Sequence, residues 1–256
     1  MHNFLDRLFA ALTLLTRLPF WRLRRVPSAA FAHATDWWPA VGWLTAGATA
    51  GTVWLLAAWL PMPLAVTAAF GVRVVLTGAL HEDGLADFCD GFGGGTTREK
   101  TLAIMKDSHI GTYGVLGLIF YALLLTNVVA ALPADTAVCV ILAGDPFAKF
   151  VASQIVNLLP YVRPLEQSKA GTGYRRTGVG MWTISALFGV VPAAVLLPEA
   201  LWPAVIAPVA VTGLLTLWMR RRIGGYTGDC CGATFLLSEL AFYLAATAVW
   251  YGGLAG

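Results

Sequence analysis

The chain has 256 residues, of which 58% are hydrophobic and 12% charged, with a formal net charge of +3. Soluble domains carry roughly 25% charged residues, so half that share, with a mean hydropathy of +0.71, excludes an ordinary soluble globule and indicates an integral membrane protein. The small net charge and dispersed basic residues leave no electrostatic footprint for nucleic acid.

In chain order, residues 4–21 form an amphipathic stretch containing Arg7 and Arg17, which predicts an interfacial helix. Asp6 and Arg7 interrupt its apolar run, so no cleavable signal peptide is expected. A span needs about 20 apolar residues. Seven candidates follow, at roughly 37–60, 62–80, 112–132, 136–158, 180–199, 202–219 and 232–252, the second of them short. Pro146, Pro192 and Pro208 lie within spans, where neighbouring helices can satisfy freed carbonyls. The small-residue run at 46–51 permits close helix packing and makes a homo-oligomer possible. The four cysteines show no metal or disulfide spacing. With no long polar stretch, residues 1–256 read as a single membrane domain.

Of 17 basic residues, fifteen lie in the segments 1–36, 81–111, 159–178 and 220–231; Arg73 and Lys149 lie inside spans. Seven spans put all four basic segments on one side. The positive-inside rule makes that side the cytoplasm, with the N-terminus inside and the C-terminus outside. The expected setting is therefore a lipid bilayer, a bacterial inner membrane, with any chemistry at its cytoplasmic face.

Between the second and third spans, His81–Gly114 holds six of the 14 acidic residues. Asp83, Asp87 and Asp90 recur at i, i+4 and i+7, one face of a helix. Like charges so placed repel, and a hard cation such as Mg²⁺, which takes oxygen ligands, would relieve that. Glu82 stands beside this face. Gly93–Gly95 end the helix, and Thr96 with Glu99 predicts a capping box for a second. The resulting hairpin would return Asp107 towards the first acids, and such carboxylate sites usually act on phosphates. Lys106 and Ser108 are candidate phosphate contacts. Gly111 and Gly114 allow close backbone approach, beside Tyr113.

Farther on, Gly224, Gly225, Tyr226, Thr227, Gly228 and Asp229 form a glycine-rich loop opening the last span, whose amides suit a phosphate. Asp229 is a helix cap or a further ligand. Arg17 and Arg163 bind an anion or anchor at the interface. Arg73 is expected to snorkel. Asp145 and Lys149, at i and i+4, are expected to pair. Glu239, deep in the last span, is expected to be functional or paired.

Five stretches in this order, LTRLP, EDGLADFCDGFGGG, IMKDSHIGTYG, LPYVR and GGYTGDCCGA, resemble the adenosylcobinamide-GDP ribazoletransferase (cobalamin synthase) family over most of the chain. The resemblance implies a Mg²⁺-dependent enzyme that joins α-ribazole or its 5′-phosphate to adenosylcobinamide-GDP and releases GMP. Lys149 stands where the family commonly has Arg, and Leu236 lies near a common acid. On this reading Glu82, Asp83, Asp87, Asp90 and Asp107 hold metal. Asp107 or Asp229 takes a proton, and Lys106 steadies phosphate. Arg17, Ser108, Tyr113, Arg163, Gly225, Thr227 and Gly228 contact substrates. Two rival readings remain. A CDP-alcohol phosphotransferase-like lipid synthase is weakened because Asp83-Gly84 is followed by Leu85-Ala86-Asp87 rather than by that family's AR signature. An ion-coupled transporter would use Asp145, Lys149 and Glu239 as a relay.

Overall fold

The structure, a computed structural model, describes residues 4–163 and 173–254. Residues 1–3 and 164–172, parts of two of the basic segments, lie outside the described residues, as do 255–256. The protein is all-α, and no strand occurs among the described residues. Six helical stretches are long and apolar enough to cross a membrane, and a bent pair brings the number to seven.

Helix α1 (Phe4–Leu15) lies against a 3₁₀ stretch, Ser28–Trp37, that leads into α2 (Trp38–Ala57). Phe4 meets Trp37 edge-on at 4.5 Å. Arg24 returns to Asp6 at 2.7 Å, so the N-terminal region is tied down at both ends. Asp36, which the sequence pattern does not single out, is the buried anchor here. It accepts a hydrogen bond from Thr177 at 2.7 Å and lies 3.1 Å from His33 and 3.8 Å from Arg7.

The second expected span stops early. Helix α3 (Met62–Thr77) ends at Gly78 (φ 67°), and α4 (Leu80–Gly94) leaves at a 93° bend. Gly78 takes the left-handed region without penalty. Ala79, at φ 56°, does so with a Cβ, which costs on the order of 1 kcal/mol. The backbone N–H of Arg17 closes the bend by donating to the Leu76 carbonyl at 2.7 Å. Its side chain occupies the space that a Cβ on Gly78 would need.

Helices α5 (Arg98–Ile104), α6 (Thr112–Ala130), α7 (Ala134–Ser153), α8 (Ile155–Leu158), α9 (Val179–Leu196), α10 (Ile206–Ile223) and α11 (Gly228–Leu254) complete the chain. Helix α7 is the most enclosed span, while α6 and α9 are mostly open to the surroundings. Gly42 of α2 lets α7 approach so closely that a Cβ there would lie 2.8 Å from the Pro146 Cα. Large apolar side chains such as Trp54, Val75, Phe120, Val195 and Leu214 cover the outside. An exposed apolar surface of this extent is what a lipid-facing protein requires.

Two ion pairs occupy the interior. Arg73 does not snorkel: it is buried and donates through Nη1 to both Glu239 oxygens at 2.6 Å. Tyr121 and Tyr243 also donate to Glu239, at 3.3 and 3.0 Å. The expected Asp145–Lys149 pair is present, and Thr45 hydrogen-bonds both partners. Lys149 also stands 3.9 Å above the Phe235 ring.

Candidate active site

Four of the five motifs meet at one end of the helices. The links preceding Arg163 and Asp229 pair as a short parallel bridge. Tyr226 N–H donates to the Pro160 carbonyl at 2.9 Å, and Val162 N–H to the Tyr226 carbonyl at 3.1 Å. The bridge places the Arg163 guanidinium 2.7 Å from the Asp229 carboxylate and 2.9 Å from the Met105 carbonyl. A single arginine thus ties together the loop after α5, the turn after α8 and the start of α11. The fifth motif, with Arg17, clamps the bend that launches α4.

The glycine-rich loop is locked rather than flexible. Gly224 has φ 76°, and a Cβ on Gly225 would collide with the Pro160 carbonyl. Tyr226 uses both its backbone groups in the bridge, and Thr227 Oγ1 accepts from Cys230 N–H at 3.4 Å as the cap of α11. A Cβ added to Gly228 would meet nothing within 4 Å, so the loop stays open at the residue next to Asp229. Burial pushes the phenols of Tyr226 and Tyr174 well up, so neither is a base at neutral pH.

The acids of α4 divide into three environments. Asp83 is exposed and Asp87 half-buried, one turn apart on the open side. Glu82 turns inward, with Oε1 3.9 Å from Arg73 and Oε2 buried without a hydrogen-bond partner among the described residues. Asp90 is buried and accepts backbone N–H bonds from Gly111 (2.7 Å) and Gly114 (2.8 Å) at the N-terminus of α6. Side chains at either glycine would press on that carboxylate. A carboxylate at a helix N-terminus is favourable in itself, so Asp90 fixes the loop that the sequence pattern assigned to phosphate.

The hairpin forms, but its cap sits one residue later than expected. Thr97, not Thr96, accepts from Lys100 N–H at 3.2 Å. Lys at that third position cannot complete a capping box with Glu99. Arg98 fastens α5 to the end of α10 through the Ile223 carbonyl at 2.9 Å. Asp107 stays exposed and accepts from His109 N–H (3.0 Å) and pairs with its ring (2.7 Å), rather than returning to the acids of α4. Those hydrogen bonds, the backbone one first, hold its carboxyl below the usual range. Lys106 and Ser108 are exposed beside it, and the Tyr113 ring lies over Gly93.

Backbone contact joins α4 to the start of α11. A Cβ on Gly84 would sit 3.0 Å from the Asp229 carbonyl oxygen, and one on Gly232 3.1 Å from that of His81. Asp229 and Arg163 therefore adjoin the helix that carries Asp83 and Asp87. Among the described residues no three His, Cys, Asp or Glu side chains converge into a preformed metal cage. Mg²⁺ commonly takes one or two protein carboxylates and completes its shell with water and substrate phosphate. Asp83 and Asp87, hard oxygen donors at i and i+4 on an accessible helix face, fit that pattern.

A family model described as cobalamin-5-phosphate synthase matches residues 7–247. The chain belongs to the cobalamin-5-phosphate synthase family. Relatives agree over nearly the whole length. An adenosylcobinamide-GDP ribazoletransferase of Shewanella sp. (strain W3-18-1) is 35% identical over 246 residues, 95% of this chain and 94% of the relative. A protein of the same name from Leptospira interrogans is 32% identical over 249 residues, 92% of each. No solved structure matches the chain. This cobalamin-5-phosphate synthase family member is thus an enzyme, a transferase.

Proposed function

We propose that the enzyme joins adenosylcobinamide-GDP to α-ribazole or α-ribazole 5′-phosphate, releasing GMP, with Mg²⁺, at the cytoplasmic face of a bacterial inner membrane. The observation that carries this reading is the close approach of α4, the helix bearing Asp83 and Asp87, to the Asp229 backbone at Gly84, with Arg163 paired to Asp229. The helix whose acids can share a metal with phosphates thereby adjoins the pair whose guanidinium can bind them.

Asp83 and Asp87 would hold the Mg²⁺, which when bound neutralises charge on the donor's pyrophosphate. Arg163 supplies a planar fork of N–H donors suited to phosphate oxygens. It is held in place by the Met105 carbonyl, so its orientation is set before substrate arrives. A ribose hydroxyl of the acceptor attacks the phosphorus bearing the corrinoid side chain. The new P–O bond forms as the bond to the GMP oxygen breaks. Asp229 takes the hydroxyl proton: it adjoins both α4 and Arg163, whereas Asp107 is exposed and bound to His109. With reactants aligned and charge met by fixed groups, little further protein chemistry is needed.

The test is turnover in liposomes with both substrates and Mg²⁺, following GMP and the corrinoid product by mass. Product that disappears with chelator and returns with Mg²⁺ supports the reading. Corrinoid product formed at full rate in the presence of chelator would refute the metal assignment, and transfer to a lipid alcohol instead would refute the acceptor.

A further inference from the structure

Helices α3 and α6 leave a slot between them, away from the candidate active site. Its cavity volume is about 310 Å³, at the lower end of the range of small-molecule sites. The gap has a cause in sequence. Gly71 of α3 and Ala122 of α6 both line it and are both exposed, so no large side chain fills the space. A Cβ on Gly71 would meet nothing within 4 Å. Phe70, Tyr121 and Leu125, all buried, form the floor. Val72, Val75 and Ile119, neighbours of the lining on the same two helices, are exposed apolar side chains. The slot therefore faces hydrocarbon rather than water.

One end of the slot is polar, where Arg73 and Glu82 close it. Arg73 is already engaged: it donates to Glu239 at 2.6 Å and to Tyr121 at 2.9 Å, and stands 3.9 Å from Glu82. Glu82 Oε2 is buried without a hydrogen-bond partner, the one such side-chain atom on the lining among the described residues. A buried polar group normally has a partner. A carboxylate has acceptors only, so what this one lacks is an N–H or O–H. Charge points the same way. The buried cations Arg73 and Lys149 are matched by Glu239 and Asp145, which leaves Glu82 as a carboxylate in excess. Glu82 belongs to the first turn of α4, beyond the bend that ends α3, so it stands at the end of the span where lipid head groups begin.

We propose that this slot holds a phospholipid with a primary ammonium head group from the adjoining leaflet. One acyl chain lies between α3 and α6, and the ammonium donates to Glu82. From Thr67 to Val74 the lining runs roughly 10 Å along α3 at the helical rise, which suits a stretch of a single chain. The torsion at the end of a Glu side chain is broad, so a modest turn of the carboxylate presents its unpaired oxygen to the donor. A choline head group carries the charge but has no N–H. A head group of phosphate and hydroxyls alone adds negative charge beside a carboxylate already in excess. The occupied slot joins α3 to α6 next to the bend that launches α4, and so steadies the helix that bears Asp83 and Asp87.

The first experiment takes the full chain from nanodiscs of equal parts phosphatidylethanolamine, phosphatidylcholine and phosphatidylglycerol. Lipids that stay bound after release into detergent are counted by native mass spectrometry. A hydrogen bond to a charged group predicts a roughly tenfold preference for the ethanolamine lipid over the choline lipid. Glu82→Gln, of the same size, should bring that preference close to one. Gly71→Leu fills the slot at a helical position that favours Leu over Gly, and should lower retention of both lipids several-fold. Added phosphatidylethanolamine should raise the unfolding midpoint of the wild type and leave that of Gly71→Leu unmoved.

Equal retention of the ethanolamine and choline lipids by the wild type would overturn the assignment. A preference that survives in Glu82→Gln would do the same, as would Gly71→Leu binding like the wild type. Stronger retention of phosphatidylglycerol would give lipid binding to the basic segments instead of the slot. If Gly71→Leu fails to fold, the wild type and Glu82→Gln still decide. No readout here uses turnover, so the outcome is independent of the reading of the reaction.

Discussion

The interior of the helix bundle and the face at its end use the same residue types for opposite ends. Inside, Arg73 with Glu239 and Lys149 with Asp145 pair across or along helices, with hydroxyls of Tyr121, Tyr243 and Thr45 completing the shell. In low dielectric such charges persist only when matched. At the end, Asp83 and Asp87 share an accessible helix face, and Arg163 is positioned by a backbone carbonyl beside Asp229. The difference teaches that an acid deep in a span is not thereby a catalytic acid. Glu239 looks the more conspicuous in sequence, yet its partners account for its burial without any transport or chemistry. The relay expected of a transporter is a set of closed pairs.

The comparison breaks most readily at Asp87. Asp87→Asn should lower kcat by roughly 10³-fold, the several kcal/mol that metal-borne charge stabilisation provides. Its thermal unfolding in detergent should match the wild type; equal turnover at limiting Mg²⁺ would show that the open face is not the metal face. The reverse pattern is expected at Glu239. Glu239→Ala leaves Arg73 buried without its carboxylate and should cost about 3–5 kcal/mol of stability, read as a lower unfolding midpoint, while the folded fraction keeps its turnover. A smaller effect belongs to the clamp: Thr97→Ala should cost about 1 kcal/mol through loss of the α5 cap, detectable as faster amide exchange in 98–104.

The smallest expected effect is a titration. The Asp107 carboxyl is held below its usual value by the His109 N–H and ring. A depressed carboxyl contributes stability above the ordinary Asp value of about 3.9 and loses it as pH falls through its folded value. His109→Ala should move the Asp107 titration upward by NMR while leaving α4 untouched. Because Asp107 is exposed, the unfolding midpoint near neutral pH should hardly change. An unchanged Asp107 titration would show that the His109 ring is not its partner.

Much of the fold was legible because hydrocarbon thickness imposes length. The spans at 112–132, 136–158 and 232–252 coincide closely with α6, α7 and α11. The short second candidate was the exception: its bend depends on Gly78, Ala79 and the remote Arg17, and no local pattern encodes a contact with residue 17. For the site, spacing placed Asp83, Asp87 and Asp90 on one face with Glu82 beside it, but did not foresee that Asp90 and Glu82 meet interior partners. Periodicity says which residues share a helix face and nothing about what that face meets. The two N–H groups of Gly111 and Gly114 that take up Asp90 lie more than twenty residues on. Arg73 and Asp36 are defined by tertiary partners, so their tasks were invisible until the helices were in place. The family resemblance, by contrast, depended on motif order alone and proved sound.

The bridge between Tyr161 and Tyr226 bears on biosynthesis. Arg17 braces the acidic helix from an early element, and Asp229 reaches it from α11, which leaves the ribosome well after α4. No nascent chain that still lacks α11 holds the whole constellation, however well its earlier helices insert. Competence therefore arrives late and at once, when α11 enters the bilayer and its leading loop docks. A ribosome stalled before that point leaves an inert membrane intermediate rather than a half-built enzyme.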